Sequence, residues 1–133
     1  DRLLKYFENN FTPDTRVVWV GDFNVAPKPI DVYDPVKLLG SVGYHPLEHE
    51  ALSNLMNWGF TDVYRIHKPD EKEFTFWDYR IPNSVKRGLG WRLDHICATR
   101  RLAEKSVSAW IDQGPRLAGR PSDHTVIVAE FNI

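Results

Sequence analysis

Residues 17–27 read VVWVGDFNVAP, and the fold follows from how that stretch is read. Arg16 to Val20 is a β-branched and aromatic run without polar interruption, the pattern of a strand buried on both faces. It stops at Gly21-Asp22-Phe23-Asn24. Asp22 and Asn24 lie two residues apart, so strand alternation would point both the same way. Asp and Asn after a strand are also ordinary turn formers. This stretch alone therefore leaves a turn and a site both open.

Working outward, Asp1 to Asn10 carries Leu3, Leu4 and Phe7 at helical spacing and stops at Asn9-Asn10, with no start signal before it. Downstream, Ala26 to Pro46 holds four prolines and no regular period. Leu47 to Trp58 places Leu47, Ala51, Leu52, Leu55 and Met56 on one helical stripe, with Gly59 as its C-cap. Strands are predicted over Phe74 to Tyr79, Trp91 to Thr99, Ser106 to Asp112 and Thr125 to Phe131, with a basic, turn-rich loop over Ile81 to Gly90. Two helices early and strands late give an α/β layered domain on a largely antiparallel sheet.

The chain has 133 residues, enough for one hydrophobic core, and its apolar fraction of 42% excludes a disordered or fibrous class. A net charge of −1 gives no bulk attraction to a polyanion. The distribution is uneven: residues 31–73 hold eight acidic side chains against four basic, and residues 80–105 hold seven basic against two acidic. Such a basic stretch could face a phosphate backbone or simply be a solvated loop. The single cysteine, Cys97, forms no internal disulfide and fits a reducing, cytoplasmic setting. No stretch is apolar for long enough to span a membrane.

Three places carry polar groups that a plain core would not put there: Asp22 with Asn24, Asp94 inside an apolar strand, and Asp123-His124 before the last strand. Asp123 could cap a turn and His124 could be a satisfied core histidine. Asp94 needs a partner, because an unpaired buried carboxylate is very costly, and a histidine would serve. Phosphodiester hydrolysis needs a cation, a carboxylate to position water and a donor for developing charge. Asp22, Asn24 and an Asp94-oriented His124 supply most of that set.

The strings VVWVGDFNVAP, FTFWDYR (Phe74 to Arg80), WRLDHICAT (Trp91 to Thr99) and PSDHTVIVAEF (Pro121 to Phe131) occur in this order. Together they resemble the C-terminal half of the exonuclease III/AP-endonuclease family, within the deoxyribonuclease I-like phosphodiesterases. IDVYDP (Ile30 to Pro35) and NWGFTDVYR (Asn57 to Arg65) extend the resemblance over essentially the whole chain. It implies half of a four-layer α/β sandwich, residues 1–133 forming the C-terminal half of one domain, with a mostly antiparallel sheet and helices on one face. The sheet's inner face would then find no cover within these residues.

The resemblance also implies roles. Asp22 orients or deprotonates the attacking water, Asn24 hydrogen-bonds water or phosphate, His124 contacts a non-bridging oxygen and Asp94 fixes its ring. Asp123 lies near the metal, as a ligand of a second metal position. Phe76, Trp91 and Leu93 form the apolar wall for an extrahelical abasic sugar, with a plain core role as the alternative. The implied cofactor is magnesium, with manganese as a substitute. The implied partners are double-stranded DNA with abasic sites or 3′ ends and the complementary N-terminal half. That half would supply an asparagine, the main metal-binding glutamate and a tyrosine, none of which has a counterpart here. Two rivals remain: a phosphodiesterase of the same superfamily acting on another substrate, and a non-catalytic binding module.

Overall fold

The computed structural model describes residues 1–133. Helix α1 (Arg2–Asn10) starts at Asp1, whose carboxylate accepts from the amides of Leu3 and Leu4, so the first residue is itself the start signal. Strand β1 (Val18–Asp22) follows, then a short 3-10 turn (Pro29–Asp31) and helix α2 (Pro35–Leu38). Helix α3 (Pro46–Trp58) has proline in its first turn and ends at Gly59 as its spacing predicts. Next come β2 (Phe60–Asp62), α4 (Val63–His67), β3 (Phe76–Trp77), β4 (Gly90–Trp91) and β5 (Asp94–Thr99). The chain closes with α5 (Arg100–Ala103), β6 (Ser106–Asp112), α6 (Gly114–Leu117) and β7 (Val126–Phe131). No helix is long and apolar enough to cross a membrane.

All strand pairing is antiparallel, but in three small sheets rather than one. Strand β5 lies between β1 and β2, β3 pairs with β4, and β6 pairs with β7. The run predicted as one strand from Trp91 to Thr99 breaks at Arg92-Leu93, where the backbone leaves the ladder. The predicted strand at Phe74 to Tyr79 shrinks to two residues. Gly90 is required at the β3–β4 contact, since a Cβ there would fall 2.3 Å from the Phe74 ring.

Register decides what each face of the central sheet meets. Val18, Val20 and Asp22 stand opposite Ala98, Ile96 and Asp94, so these six share a face. Trp19 and Cys97 point to the other side, where they pack with Phe60 against Phe7 of α1 and Leu55 of α3. That outer core is largely aromatic: the Phe7 and Phe60 rings meet edge to face at 4.8 Å, and Trp19 stacks on Phe23 at 3.9 Å. On the inner side, Ala98 joins Val63, Tyr64, Ala103, Ala109 and Ile111, with Ile96, Ile127 and Ala129 packed against them.

Two expectations are corrected here. The β6–β7 pair lies over part of the inner face, which the sequence reading left without cover. Strand β1 is not buried on both faces, because Val18 and Val20 remain 48% and 57% exposed beside the pair. The run is apolar on both faces, but the β6–β7 pair packs on β5 and leaves these β1 side chains uncovered. The layers are thus helices, a three-stranded sheet and a two-stranded sheet, a mixed antiparallel α/β arrangement.

Candidate active site

The β1–β5 ladder ends with Asp22 opposite Asp94, so two carboxylates stand side by side at one end of the sheet. The third segment arrives by a different route. Residues 123–125 run beside β3: the Trp77 amide donates to the Asp123 carbonyl at 2.9 Å, and the Thr125 amide donates to the Thr75 carbonyl at 2.7 Å. This pairing sets His124 against Phe76, with ring centroids 5.0 Å apart. The imidazole then meets both carboxylates. Its Nδ1 lies 2.7 Å from Asp94 Oδ2, and its Nε2 lies 3.7 Å from Asp22 Oδ2.

A carboxylate can only accept, so Nδ1–H donates to Asp94 and the Nε2 edge is left to face Asp22 and any ligand. The three side chains are partly exposed, with Asp94 the most covered and Asp22 the least. One ligand atom from each lies within 4.8 Å of the others, close enough to share a cation. Carboxylate oxygens suit a hard divalent ion, which fills its remaining positions with water. Asp94 is already committed to His124, so Asp22 is the donor most free to take one.

Asn24 has left the strand. Its backbone is left-handed at φ 52°, and its amide donates to Asp22 Oδ1 at 2.8 Å. Strand alternation therefore does not place it; a turn closed by Asp22 sets its position beside that carboxylate. Asp123 is not a member of the cluster. Successive residues of extended chain point to opposite sides, and here His124 is the one turned toward Asp94. Phe76 and Trp91 face each other across the β3–β4 pair and are half-buried. Leu93, expected beside them on the apolar wall, is only 5% exposed and packs into a core with Ala26, Val32, Leu38 and Tyr44.

Behind the site lies a buried ionic network. Arg92 donates to Asp31 Oδ1 from Nε at 2.7 Å, to Asp62 Oδ2 from Nη2 at 2.6 Å and to His95 Nδ1 from Nη1 at 3.1 Å. Arg65 also donates to Asp31. Because Arg92 can only donate, His95 carries its proton on Nε2 and gives it to the Val25 carbonyl at 2.7 Å, which ties the network to the loop after Asn24. Burial pushes the Asp31 carboxyl up, but the Arg92 and Arg65 guanidinium groups outweigh it and hold it below its ordinary value. Burial, with Arg92 adding to it, pushes His95 down. Arg92, counted with the basic stretch that could face phosphate, is fully buried and paired. Arg80 is exposed but held by Asp78 at 2.8 Å. The rule that singles out Asp94, that a charge inside a strand needs a partner, applies equally to Arg92 two residues before it.

Residues 1–124 match the family model described as the endonuclease/exonuclease/phosphatase family. The chain belongs to that family. Among its relatives is an exodeoxyribonuclease of Streptococcus pneumoniae, 35% identical over 119 residues that make up 88% of this chain and 42% of that protein. The structure superposes on an AP endonuclease from Archaeoglobus fulgidus with a TM-score of 0.94 and 43% identity, over 99% of this chain and 51% of the other. A Neisseria 3′-phosphatase bound to a product DNA hairpin gives 0.93 and 33% identity, over 98% of this chain and 51% of that one. The chain thus spans about half the length of these endonuclease/exonuclease/phosphatase relatives. The matched region includes β1, β3, β4 and β5 and reaches His124, so all three members of the cluster lie inside it.

Proposed function

We propose that these residues are the C-terminal half of a DNA repair nuclease that hydrolyses phosphodiester bonds at abasic sites, at 3′ ends of duplex DNA, or at both. The observation that carries this reading is the joining of Asp22, Asp94 and His124 at adjoining strand ends, in a chain whose relatives include exodeoxyribonucleases and AP endonucleases. Magnesium, with manganese as a substitute, would be held by Asp22 together with carboxylates of the complementary half; when bound it neutralises charge on the phosphate oxygens. A setting that keeps Cys97 a free thiol, such as the cytoplasm, suits this chain.

Asp22 is the most exposed of the three and positions the attacking water on the side from which it enters. His124, its Nδ1 anchored on Asp94, directs Nε2 at a non-bridging oxygen and stabilises the charge that develops there. Asn24, set by the turn on Asp22, offers its amide to the water or the phosphate. Phe76 and Trp91 present a half-buried aromatic surface beside His124, suited to the apolar face of a base-free sugar. Leu93 supports that surface from the core beneath it.

In the full-length protein, His124→Ala should lower the rate of abasic-duplex incision by roughly 10²–10³, the cost of deleting one transition-state donor. Substrate affinity should change little. Unaltered turnover would remove His124 from the mechanism and this reading with it.

A further inference from the structure

We propose that Thr75 is the positioning residue that holds Asp94 and His124 in reach of each other; the proposal rests on the nuclease reading above. Thr75 is completely buried and makes four hydrogen bonds to three other segments. Its amide donates to the Trp91 carbonyl at 2.9 Å and its carbonyl accepts from the Thr125 amide at 2.7 Å. Its Oγ1 accepts from two consecutive amides, Leu93 at 3.0 Å and Asp94 at 3.1 Å.

The fold needs such an acceptor at this point. Between β4 and β5 the backbone leaves the ladder. The Arg92 amide goes to the Asp31 carbonyl at 2.8 Å, while the amides of Leu93 and Asp94 are met by the Thr75 hydroxyl rather than by a ladder carbonyl. Buried amides must find an acceptor, and a hydroxyl oxygen offers two lone pairs. Thr75 Oγ1 uses both. Its backbone at the same time pins the residue that follows His124. One side chain and its own peptide groups thus fix the starts of both segments whose side chains meet at 2.7 Å. Serine could make the same bonds, and valine, of the same shape, could make neither.

The test uses the full-length protein with Thr75→Val, Thr75→Ser and His124→Ala side by side. Thr75→Val should lower kcat by about 10- to 100-fold, the usual effect of losing a group that orients a site residue, with KM little changed. Thr75→Ser should restore most of that loss. Amide hydrogen exchange should show Leu93 and Asp94 protected in the unaltered protein and with serine, and open with valine. The proposal falls if folded Thr75→Val keeps its kcat while His124→Ala loses it, an outcome that leaves the nuclease reading standing. It falls with that reading if His124→Ala keeps full activity. A serine variant as slow as the valine one assigns the effect to methyl packing and overturns the proposal. Should valine prevent folding, rapid exchange of the Asp94 amide in the unaltered protein would overturn it just as directly.

Discussion

Arg92 and its partners show how charges held largely out of solvent stand behind this site. Two guanidinium groups and two carboxylates balance one another there, and His95 is held neutral between Arg92 and the Val25 carbonyl. Removing Arg92 leaves Asp62 without its ion-pair partner and Asp31 with Arg65 alone, and breaking a buried ion pair costs about 3–5 kcal/mol. Arg92→Leu should therefore destabilise the protein strongly in a urea titration. The network also sets a pH dependence. His95 has a folded value below its ordinary 6.5, so its contribution is complete above that pH and is lost as pH falls below it. Asp31, held below 3.8, keeps its contribution down to that point and loses it only at lower pH. Melting temperature should accordingly decline in two stages on acidification, the first beginning near pH 6.5. His95→Gln can accept from Arg92 and donate to Val25 without titrating, so it should flatten the first stage and leave the second. An unchanged first stage in that variant would mean that His95 does not set it.

At the scale of elements, the β3–β4 pair is the smallest sheet in the molecule and the one nearest the proposed substrate surface. Phe76 and Trp91 are opposite residues in that pair, and Phe76 also carries the His124 ring. If they form a sugar-facing wall, replacing either with alanine should reduce abasic-site incision per folded molecule more than it reduces stability. Loss of a core aromatic would instead cost ~3–5 kcal/mol in a urea titration. Full loss of stability with unchanged specific activity would return both to the core. These short strands also mark where the sequence stops being legible. Long periodic segments such as α3, β6 and β7 are plain from their spacing, because packing follows the hydrophobic repeat. The two-residue strands are not, since their pairing is set by tertiary bonds from Asp123, Thr125 and Val32. In the same way Asp22, Asp94 and His124 could be named from the sequence, each being a polar residue at an apolar strand's edge. Thr75, Arg65 and Asp62 could not, because a threonine in a strand-like run, an arginine in a helix and an aspartate just before one each have an ordinary local explanation. Only the fold brings their side-chain partners, 18 to 34 residues away, into contact.

For the molecule as a whole, the uncovered apolar surface is as informative as the buried. Val18 and Val20 lie exposed beside half-buried Ile96 on the inner face of the central sheet. The β6–β7 pair covers Ala98 with Ala109, Ile111, Ile127 and Ala129, yet its own far side carries Trp110 and Val126, 37% and 47% exposed, with Val128 between them. Two open faces on neighbouring sheets are what a further layered element would cover, since sheets packed face to face share one apolar core about 10 Å thick. Monomers rarely leave contiguous apolar patches larger than a few hundred Å². As a separate polypeptide the 133 residues should therefore self-associate. They should also fail to incise abasic DNA, because Asp22 alone cannot hold magnesium in place of a full set of carboxylates. Supplying the proposed complementary half, in cis or in trans, should restore both a monodisperse species and activity, whereas Val18→Lys with Val20→Lys should improve solubility but prevent that rescue. Light scattering on the separate chain and an incision assay after mixing check each part. A monodisperse monomer that cleaves an abasic duplex with magnesium alone would mean that the exposed face needs no cover and that the site is complete as it stands.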